Sequence, residues 1–539
     1  MTKFFATTAK QRFFLRLILS AAVLSLPAHL LFAVSCPVVK HGPPSEAELA
    51  LRTAMYAKAE ALYQAEIAKH PNDAELTAGL VHALLGDQKV QQAADAVKAA
   101  LAATPNVAPL LTLEGEVVLR EGNPWDVEPI VLASYKLDPC NPRTRLLYAR
   151  YQKVNSKYAT AQQQILLAHQ FDPEDAEIRE AWIETLPLTE RIAETEKYLS
   201  DSADADVAVV GRLKSQLNIW KKLASEPPSA CQLVSTAAPA DLPFISLLGN
   251  AGHVRAFGLD VALNGNSNRM EIGGAEGGLT LYKAAAERAK LRRITASEGG
   301  GGPVKPSYLA HADSIKVGSL EFKDCVVKVI DGNSLNDDGD GLIGMDVFSN
   351  YLVTVDYPMH KVKLGALPLR SGETAAATAS LKTTSASLGD LSPAHSLPVD
   401  RVIAPEMKEY SQIYRVGDGL ILPAVLNATK VKLFNLDLGA QTTSVAPAVA
   451  KEVSKVYEKN LWGQKVLVAD EITFNFAHLS QKVNSVVAAD TSMESRFAGM
   501  EISGTIGANT FSVLTMHIDY RDGLVKFDYI PDRGYTMKP

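Results

Sequence analysis

Two patterns of hydrophobic and polar positions divide the chain. From about residue 41 to residue 226, apolar residues recur at the spacing of an α-helix, and runs typical of strands are nearly absent. After Glu226 the sequence changes to alternating β-branched residues, glycines and short polar turns. The patterns therefore predict a multidomain protein, in which an all-α N-terminal region precedes an all-β C-terminal region.

The helical region contains a repeat of 34 residues. It shows in four prolines, in alanines twelve positions before three of them, and in larger side chains eight positions before each: Pro71, Pro105, Pro139 and Pro173; Ala59, Ala93 and Ala161; Tyr63, Val97, Val131 and Ile165. This period resembles that of the tetratricopeptide repeat. The resemblance implies a solenoid of stacked helix pairs whose concave face holds a peptide or protein partner, or a solenoid that only spaces the rest of the chain.

The β-rich region contains an internal duplication. In its later copy, Asp437 ends an apolar run, Gly507 follows 70 residues on, and Asp519-Tyr520 begins 12 residues after that glycine. The earlier copy repeats this frame with spacings of 71 and 12 residues between its members: Gly273, Gly344 and Asp356-Tyr357. Two copies of one frame predict two similar lobes.

Alternation of apolar and polar residues predicts the elements of each lobe. The first lobe has a strand at 261–263, a hairpin turn at Asn264-Gly265, and a returning strand at 269–272 that leads to Gly273. The second lobe repeats this order with two strands and a helix, at 420–427, 430–436 and 446–456. In both lobes the second strand of the pair therefore delivers the first residue of the duplicated frame.

This frame resembles that of aspartic proteases, specifically the retropepsin-like bacterial relatives of the retroviral and pepsin-type enzymes. In that family each lobe supplies an Asp-Thr/Ser-Gly-Ala turn, and a later apolar-apolar-Gly strand passes beside it. The resemblance implies a bilobal all-β fold with Asp437 as the candidate catalytic residue. It also implies a binding role for residues of the active-site turns and adjacent strands: Gly439, Ala440, Gly344 and Gly507. The Gly-rich segment 298–303 corresponds to the family's mobile flap or is an ordinary loop.

Two residues depart from the family pattern. Gly273 stands where the first lobe of the family has its catalytic Asp, and Leu438 replaces the Thr or Ser that hydrogen-bonds between the turns. Aspartic proteases hydrolyse peptides with two carboxylates that share one proton, so Asp437 lacks its partner. Glu271 and Glu276 lie near position 273, but either would need a different strand register to replace the missing carboxylate.

Two functions of different classes follow from this resemblance. The first is a catalytically impaired module that binds a peptide or protein in the cleft between the lobes and on the helical repeats. The second is an active aspartic endopeptidase, in which a second chain completes the dyad of Asp437. Gly273 and Leu438 favour the binding module, whereas the retained Asp437 favours the protease.

The predicted organisation has five segments. They are an export signal at 1–35, the helical repeats at 41–226, the degenerate first lobe at 227–370, an Ala/Ser/Thr-rich linker at 371–410 and the second lobe at 411–539. The signal has basic residues followed by an apolar run from Leu17 to Ala33. Because Cys36 follows directly, the segment is either an ordinary signal peptide or a lipoprotein signal that anchors the protein through Cys36.

Composition narrows the remaining possibilities. A formal charge of −6 over 539 residues and the lack of a basic stripe argue against nucleic-acid binding. No run after the signal is long enough to span a bilayer, so we expect a periplasmic or extracellular protein whose membrane contact is limited to a lipid on Cys36. The four cysteines have no metal-ligand spacing, and neither a metal nor another cofactor is expected. Cys231 and Cys325 form a disulfide bond or remain two buried thiols.

Overall fold

The computed structural model describes most of the chain, with gaps. The described residues are 36–201, 206–227, 231–235, 240–249, 254–273, 277–296, 306–331, 338–371, 373, 398–461 and 464–530. The predictions for the export signal, for the Gly-rich segment 298–303, for Glu276 and for most of the linker lie outside these residues. The chain divides into two compact units, Met1–Pro37 and Val38–Pro539, and the description below concerns the second.

The described part of the N-terminal region is helical, as its apolar spacing predicts. Its helices are α1 (Glu46–Arg52), α2 (Tyr56–Ile67), α3 (Ala74–Gly86), α4 (Val90–Ala103), α5 (Ala108–Arg120), α6 (Val127–Leu137), α7 (Pro142–Val154), α8 (Tyr158–Phe171), α9 (Ala176–Thr185), α10 (Leu188–Asp201) and α11 (Val207–Ala224). Each helix from α1 to α9 contacts the next one, and the odd-numbered helices α1 to α9 also contact one another in sequence. This contact pattern is that of a solenoid of stacked helix pairs.

The residues that mark the 34-residue period lie in the interfaces between helices. Ala59, Ala93 and Ala161 are fully buried, and Tyr63, Val97, Val131 and Ile165 are buried with them. In the third repeat Val127 takes the place of the alanine and is also buried. The close approach of helices explains one glycine, because a Cβ on Gly79 would lie 2.2 Å from the ring of Tyr63.

The starts of the odd-numbered helices follow the same period. Three of them have a polar N-cap two residues after the marking proline: Asp73 for α3, Asn141 for α7 and Asp175 for α9. The cap oxygens accept backbone N–H groups of the first turn, at 2.8 Å from Glu75, 3.0 Å from Thr144 and 3.0 Å from Ile178. A side-chain acceptor at this position satisfies a helix N–H that has no partner within the helix, which fixes where each helix begins.

The described part of the C-terminal region is mainly β-structure. Its strands are β1 (Gln232–Leu233), β2 (Ala240–Pro243), β3 (Ile245–Leu248), β4 (Val254–Leu263), β5 (Asn266–Gly273), β6 (Leu279–Tyr282), β7 (Arg292–Arg293), β8 (Ser307–Val317), β9 (Leu320–Ile330), β10 (Gly341–Gly344), β11 (Leu352–Asp356), β12 (Lys361–Gly365), β13 (Ser411–Gln412), β14 (Tyr414–Val416), β15 (Gly419–Leu426), β16 (Val431–Leu436), β17 (Ser444–Val445), β18 (Val456–Leu461), β19 (Gln464–Phe476), β20 (Leu479–Ala488), β21 (Gly504–Ile506), β22 (Leu514–Asp519) and β23 (Leu524–Tyr529). Short helices α12 (Lys283–Arg288), α13 (Pro447–Val453), α14 (Ser492–Ala498) and α15 (Ala508–Phe511) lie among them.

The predicted strands, hairpin turn and helix are present, although their boundaries differ from those expected: the strand expected at 261–263 already begins at Val254. The hairpin turn between β4 and β5 has Asn264 at φ 47° and Gly265 at φ 80°, the left-handed conformations that such two-residue turns require. The helix expected at 446–456 ends at Val453. The chain enters β18 at Val456 because it pairs there with Ala469 of β19, so sheet pairing overrides helix propensity at these residues.

The strands form three sheets in the described part of the chain. The first lobe has the order β1-β9-β6-β10-β5-β4-β8-β7, with β3 paired to β4. The second lobe has the order β14-β15-β16-β21-β17-β20-β19-β18. The third sheet, β13-β23-β22-β11-β12-β2, contains strands from both halves of the duplication, with Val353 of β11 opposite Ile518 of β22. The two lobes are therefore joined by one continuous sheet, and a single apolar core runs through both.

The helical region packs against the second lobe. Val154 of α7 joins Ile421, Leu433, Met500 and Ile502 in one apolar cluster. The carboxylate of Asp400 accepts the N–H of Thr160 at 3.0 Å and its hydroxyl at 2.6 Å, at the start of α8. These contacts make the solenoid part of the same folded body as the lobes.

Disulfide bonding settles the alternatives for Cys231 and Cys325. Their sulfur atoms are bonded at 2.04 Å, and the bond joins the start of β1 to β9. None of the described cysteines is free, since Cys36 and Cys140 are disulfide-bonded as well. Disulfide bonding of all the described cysteines is typical of a protein from an oxidising compartment, which indicates export. Among the described residues, no helix has the length and hydropathy needed to cross a membrane.

Candidate functional site

The turn that begins at Asp437 is built by strand β16. Asp437 follows the last residue of this strand, and its N–H donates to the carbonyl of Ile506 at 3.0 Å. Its Oδ1 atom accepts two backbone N–H groups, from Gly439 at 3.1 Å and from Ala440 at 2.9 Å. An aspartate that binds the two N–H groups after it folds the chain into a tight turn. The carboxylate is thereby fixed at the end of the strand.

Burial raises the pKa of Asp437 above its ordinary value. The hydrogen bonds from Ala440 and Gly439 oppose this change, because they stabilise the ionised form, and the charge of Glu271 raises the pKa further. A desolvated carboxylate with a raised pKa, held at a strand end, is typical of functional sites and also occurs in structural networks.

The strand registers of the two lobes show which residue occupies the corresponding place in the first lobe. Strands β5 and β10 run parallel, with Gly273 opposite Gly344. Strands β16 and β21 also run parallel, with Leu436 opposite Ile506, so Asp437 and Gly507 come next in that register. Gly273 therefore lies at the position in the first lobe that Asp437 has in the second.

Gly507 is tightly enclosed by the Asp437 turn. A Cβ at this position would lie 2.5 Å from the carbonyl oxygen of Thr442 and 2.7 Å from that of Ala440. The N–H of Gly507 donates to Thr443 Oγ1 at 3.0 Å, which links the turn to the strand beside it. In the first lobe, the N–H of Gly344 instead donates to the carbonyl of Gly278 at 2.9 Å.

The Asp437 turn lies directly against the first lobe. The N–H of Phe257 donates to the carbonyl of Gly439 at 3.1 Å, and Ala256 forms an antiparallel bridge with Ala440. A Cβ on Gly439 would lie 2.0 Å from the carbonyl oxygen of Ile272, the residue before Gly273. The structure thus places the predicted residues Gly439 and Ala440 against residues of strands β4 and β5 in the first lobe.

Glu271 is the described carboxylate of the first lobe that acts on the charge of Asp437. It is bound by the guanidinium of Arg255 through two hydrogen bonds, at 2.9 Å to Oε1 and 2.7 Å to Oε2. A carboxylate whose two oxygens are both bound by a guanidinium is not placed to share a proton with Asp437. Sequence analysis missed Arg255 because it lies on β4, and its contact with Glu271 of the neighbouring strand β5 appears only in the folded sheet.

A second candidate site is the face of the solenoid that the odd-numbered helices form. Four residues of the odd-numbered helices recur at intervals of 34: His82, Glu116, Arg150 and Glu184. His82 Nε2 lies 2.9 Å from Glu116 Oε2, and Arg150 Nη2 lies 2.5 Å from Glu177. Burial alone would raise the pKa of Glu177, but Arg143 and Arg150 hold it well below its usual range.

A cavity of about 230 Å³ opens on this face. Its apolar walls are formed by Leu146, Ala149, Ile165 and Ala181, and charged side chains surround them. No group of three or more His, Cys, Asp or Glu side chains in the described part of the chain is arranged to hold a metal ion.

Comparison with known proteins gives one family match and two solved structures to which this chain is similar. Residues 260–347 match the family model of aspartyl proteases. Among solved structures, the chain is similar to an aspartic proteinase from Irpex lacteus, with 10% identity, a TM-score of 0.35, and coverage of 55% of this chain and 98% of that chain. It is also similar to a thermophilic TPR protein of Thermus thermophilus, with 19% identity, a TM-score of 0.25, and coverage of 31% and 97%. The search of curated proteins found no match.

Within the C-terminal region of two β-rich lobes, residues 260–347 of the first lobe are similar to aspartyl proteases. The region before the lobes is a stack of helix pairs. The predicted fold class is therefore confirmed. The matched segment 260–347 lies in the first lobe, which contains Gly273, and ends well before Asp437.

Proposed function

We propose that this chain is an exported binding module of aspartic-protease ancestry, in which the protease-like lobes have lost the paired carboxylates of catalysis. Its ligand is a peptide or an unfolded protein segment, bound between the lobes and on the concave face of the helices. The observation that carries the proposal is the equivalence of Gly273 and Asp437 in the two parallel strand registers.

Peptide hydrolysis by this mechanism requires a second carboxyl group, which Gly273 cannot supply. One carboxylate must take a proton from the attacking water while the other, in its protonated form, acts as general acid toward the peptide group. Gly273 has no side chain, and the nearby Glu271 is held by Arg255. Asp437 alone therefore cannot supply the general base and the general acid at once.

The alternative function is an active aspartic endopeptidase whose dyad is completed by a second chain. Its support is the raised pKa of Asp437, a property expected of an acid–base catalyst. Against it stands the close contact of Gly439 with Ile272, because the first lobe of the same chain already covers the Asp437 turn. A second chain would have to displace that lobe before it could present its own Asp437.

The docking of the solenoid on the second lobe supports a joint role for both regions. Asp400 and the cluster around Val154 fix the helices to the lobe, so both candidate sites belong to one body. A long ligand could then contact both sites at once, and the two contacts would reinforce each other.

We further propose that the protein is periplasmic or extracellular, and that its N-terminal segment is an ordinary signal peptide. The disulfide bonding of Cys36 supports this choice, because a lipoprotein carries its lipid on the sulfur of that cysteine. Mass spectrometry of the mature protein tests it directly. An N-terminus at Cys36 with an added lipid mass would contradict the proposal.

The binding proposal is tested with the full mature chain and a peptide mixture from a digested, unfolded protein. The protein is incubated with the mixture at acidic and at neutral pH and separated by size, and the retained peptides are identified by mass spectrometry. The proposal expects a retained subset of peptides with no new termini. New termini would support the endopeptidase, and no retained peptides at either pH would contradict the binding function.

A further inference from the structure

A buried tyrosine contacts the Asp437 turn from the first half of the duplication. Tyr357 follows the last residue of β11 and is 3% exposed. Its hydroxyl donates a hydrogen bond of 2.9 Å to the main-chain carbonyl of Leu438, the residue after Asp437. The side chain of Leu438 is buried in the shared apolar core and has no hydrogen-bonding group. The main-chain carbonyl of Leu438 is therefore the group that accepts a hydrogen bond from the first half of the duplication.

The hydrogen bond from Tyr357 is one of three contacts that the first half of the duplication makes with successive residues of the Asp437 turn. Leu438 accepts from the Tyr357 hydroxyl, Gly439 accepts from the N–H of Phe257, and Ala440 forms a bridge with Ala256. Three successive residues of the Asp437 turn are thus bound by the first half of the duplication. Of these three contacts, the hydrogen bond from Tyr357 comes from a side chain, whereas the other two are between main chains.

The Tyr357 hydroxyl acts as a donor at this place. Burial raises the pKa of Tyr357 well above its ordinary value, and the charge of Asp437 raises it further. The protonated hydroxyl, which donates the hydrogen bond to Leu438, is therefore favoured. If the hydroxyl were removed, the buried carbonyl of Leu438 would lose its hydrogen-bond partner. Leaving a buried acceptor unpaired costs more free energy than replacing one hydrogen bond by another.

We propose that Tyr357 is a positioning residue for the Asp437 turn, and that its hydroxyl provides the link between the two halves for which Leu438 has no side-chain group. The inference rests on Asp437 being the retained carboxylate of the site, as in the proposed function. It does not depend on whether Asp437 catalyses hydrolysis.

The first lobe contains a matched control for this hydroxyl. Tyr351 is 4% exposed, and its hydroxyl has no hydrogen-bond partner among the described residues. Tyr351→Phe and Tyr357→Phe each remove one buried oxygen atom from the same lobe. Only the second removes a hydrogen bond to the Asp437 turn.

The test is hydrogen exchange of the wild type and the two variants, measured by mass spectrometry. In the segment from Leu433 to Val445, we expect Tyr357→Phe to exchange faster by about tenfold, the effect of losing one buried hydrogen bond. Tyr351→Phe should exchange at the wild-type rate in that segment. Equal exchange in both variants would overturn the proposal.

A second readout separates positioning from general stability. Carbodiimide-driven amidation of Asp437 is followed from about pH 4 to about pH 7. We expect Tyr357→Phe to react more and to shift its pH profile downward, because a loosened turn hydrates the carboxyl group that burial now protects. An unchanged profile, or a Tyr357→Phe protein that fails to fold while Tyr351→Phe folds, would make the hydroxyl a general structural element and overturn the positioning role.

Discussion

The carbonyl oxygen of Ile272 lies where a side chain on Gly439 would have to be, since a Cβ added to Gly439 would stand 2.0 Å from it. Ile272 precedes Gly273, and Gly439 belongs to the Asp437 turn. Strand β5 of the first lobe and the Asp437 turn of the second are therefore in main-chain contact. This contact fixes the distance between the two halves of the candidate site.

The variant Gly439→Ala tests this contact. We expect it to lower the free energy of unfolding by about 2 kcal/mol or more, because the added methyl group must push two backbone segments apart. The control is Gly365→Ala, where the nearest atoms to the added Cβ lie at 3.8 and 4.0 Å. Thermal unfolding compares the two variants. Equal midpoints for Gly439→Ala and Gly365→Ala would show that the Asp437 turn is not packed tightly against β5.

The helical region should fold without the lobes, because repeat stability comes from contacts between neighbouring helices. We expect a fragment of residues 41–226 to give a strongly helical circular-dichroism spectrum and a cooperative melt. Its midpoint should lie below that of the full chain, since Val154 loses its apolar partners on the second lobe. A fragment without helical signal or cooperativity would count against the repeat assignment.

The solenoid could be predicted in detail because its signal is periodic. Ala59, Ala93 and Ala161 recur at a fixed spacing, and each is fully buried between helices. Each repeat contacts only its neighbours, so the same packing contact recurs wherever the sequence repeats. The polar N-caps Asp73, Asn141 and Asp175 follow the same period and would have strengthened the prediction.

The lobes were less predictable because their decisive contacts join distant parts of the chain. The duplicated frame aligned Gly273 with Asp437, and the strand registers agree with that alignment. Neither the pairing of Arg255 with Glu271 nor the shared sheet of β11 and β22 has a signal in local sequence. The repeated Asp-Tyr dipeptide did offer a signal for Tyr357, but its partner Leu438 appears only in the folded chain.

The raised pKa of Asp437 predicts a pH-dependent effect of Asp437→Asn on stability. Because burial raises the pKa in the folded state, the ionised side chain costs stability once the pH rises through that pKa. Asparagine keeps an acceptor oxygen for the N–H groups of Gly439 and Ala440 and carries no charge. We expect Asp437→Asn to melt above the wild type at neutral pH, with the difference shrinking as the pH falls and Asp437 takes up its proton.

Thermal unfolding of both proteins across this pH range checks the prediction. A variant that melts below the wild type at neutral pH would mean that the charge of Asp437 stabilises the folded chain. In that case a cation or another donor close to the turn would have to be present.

The central claim is that the lobes cannot hydrolyse peptides because Asp437 has no partner carboxylate. The most direct measurement is cleavage of an unfolded protein substrate by the wild type and by Asp437→Asn, from acidic to neutral pH. We expect no cleavage by the wild type above the level of Asp437→Asn at any pH. Cleavage with an acidic optimum, inhibited by a statine-type transition-state mimic and abolished by Asp437→Asn, would contradict the account and establish an active protease.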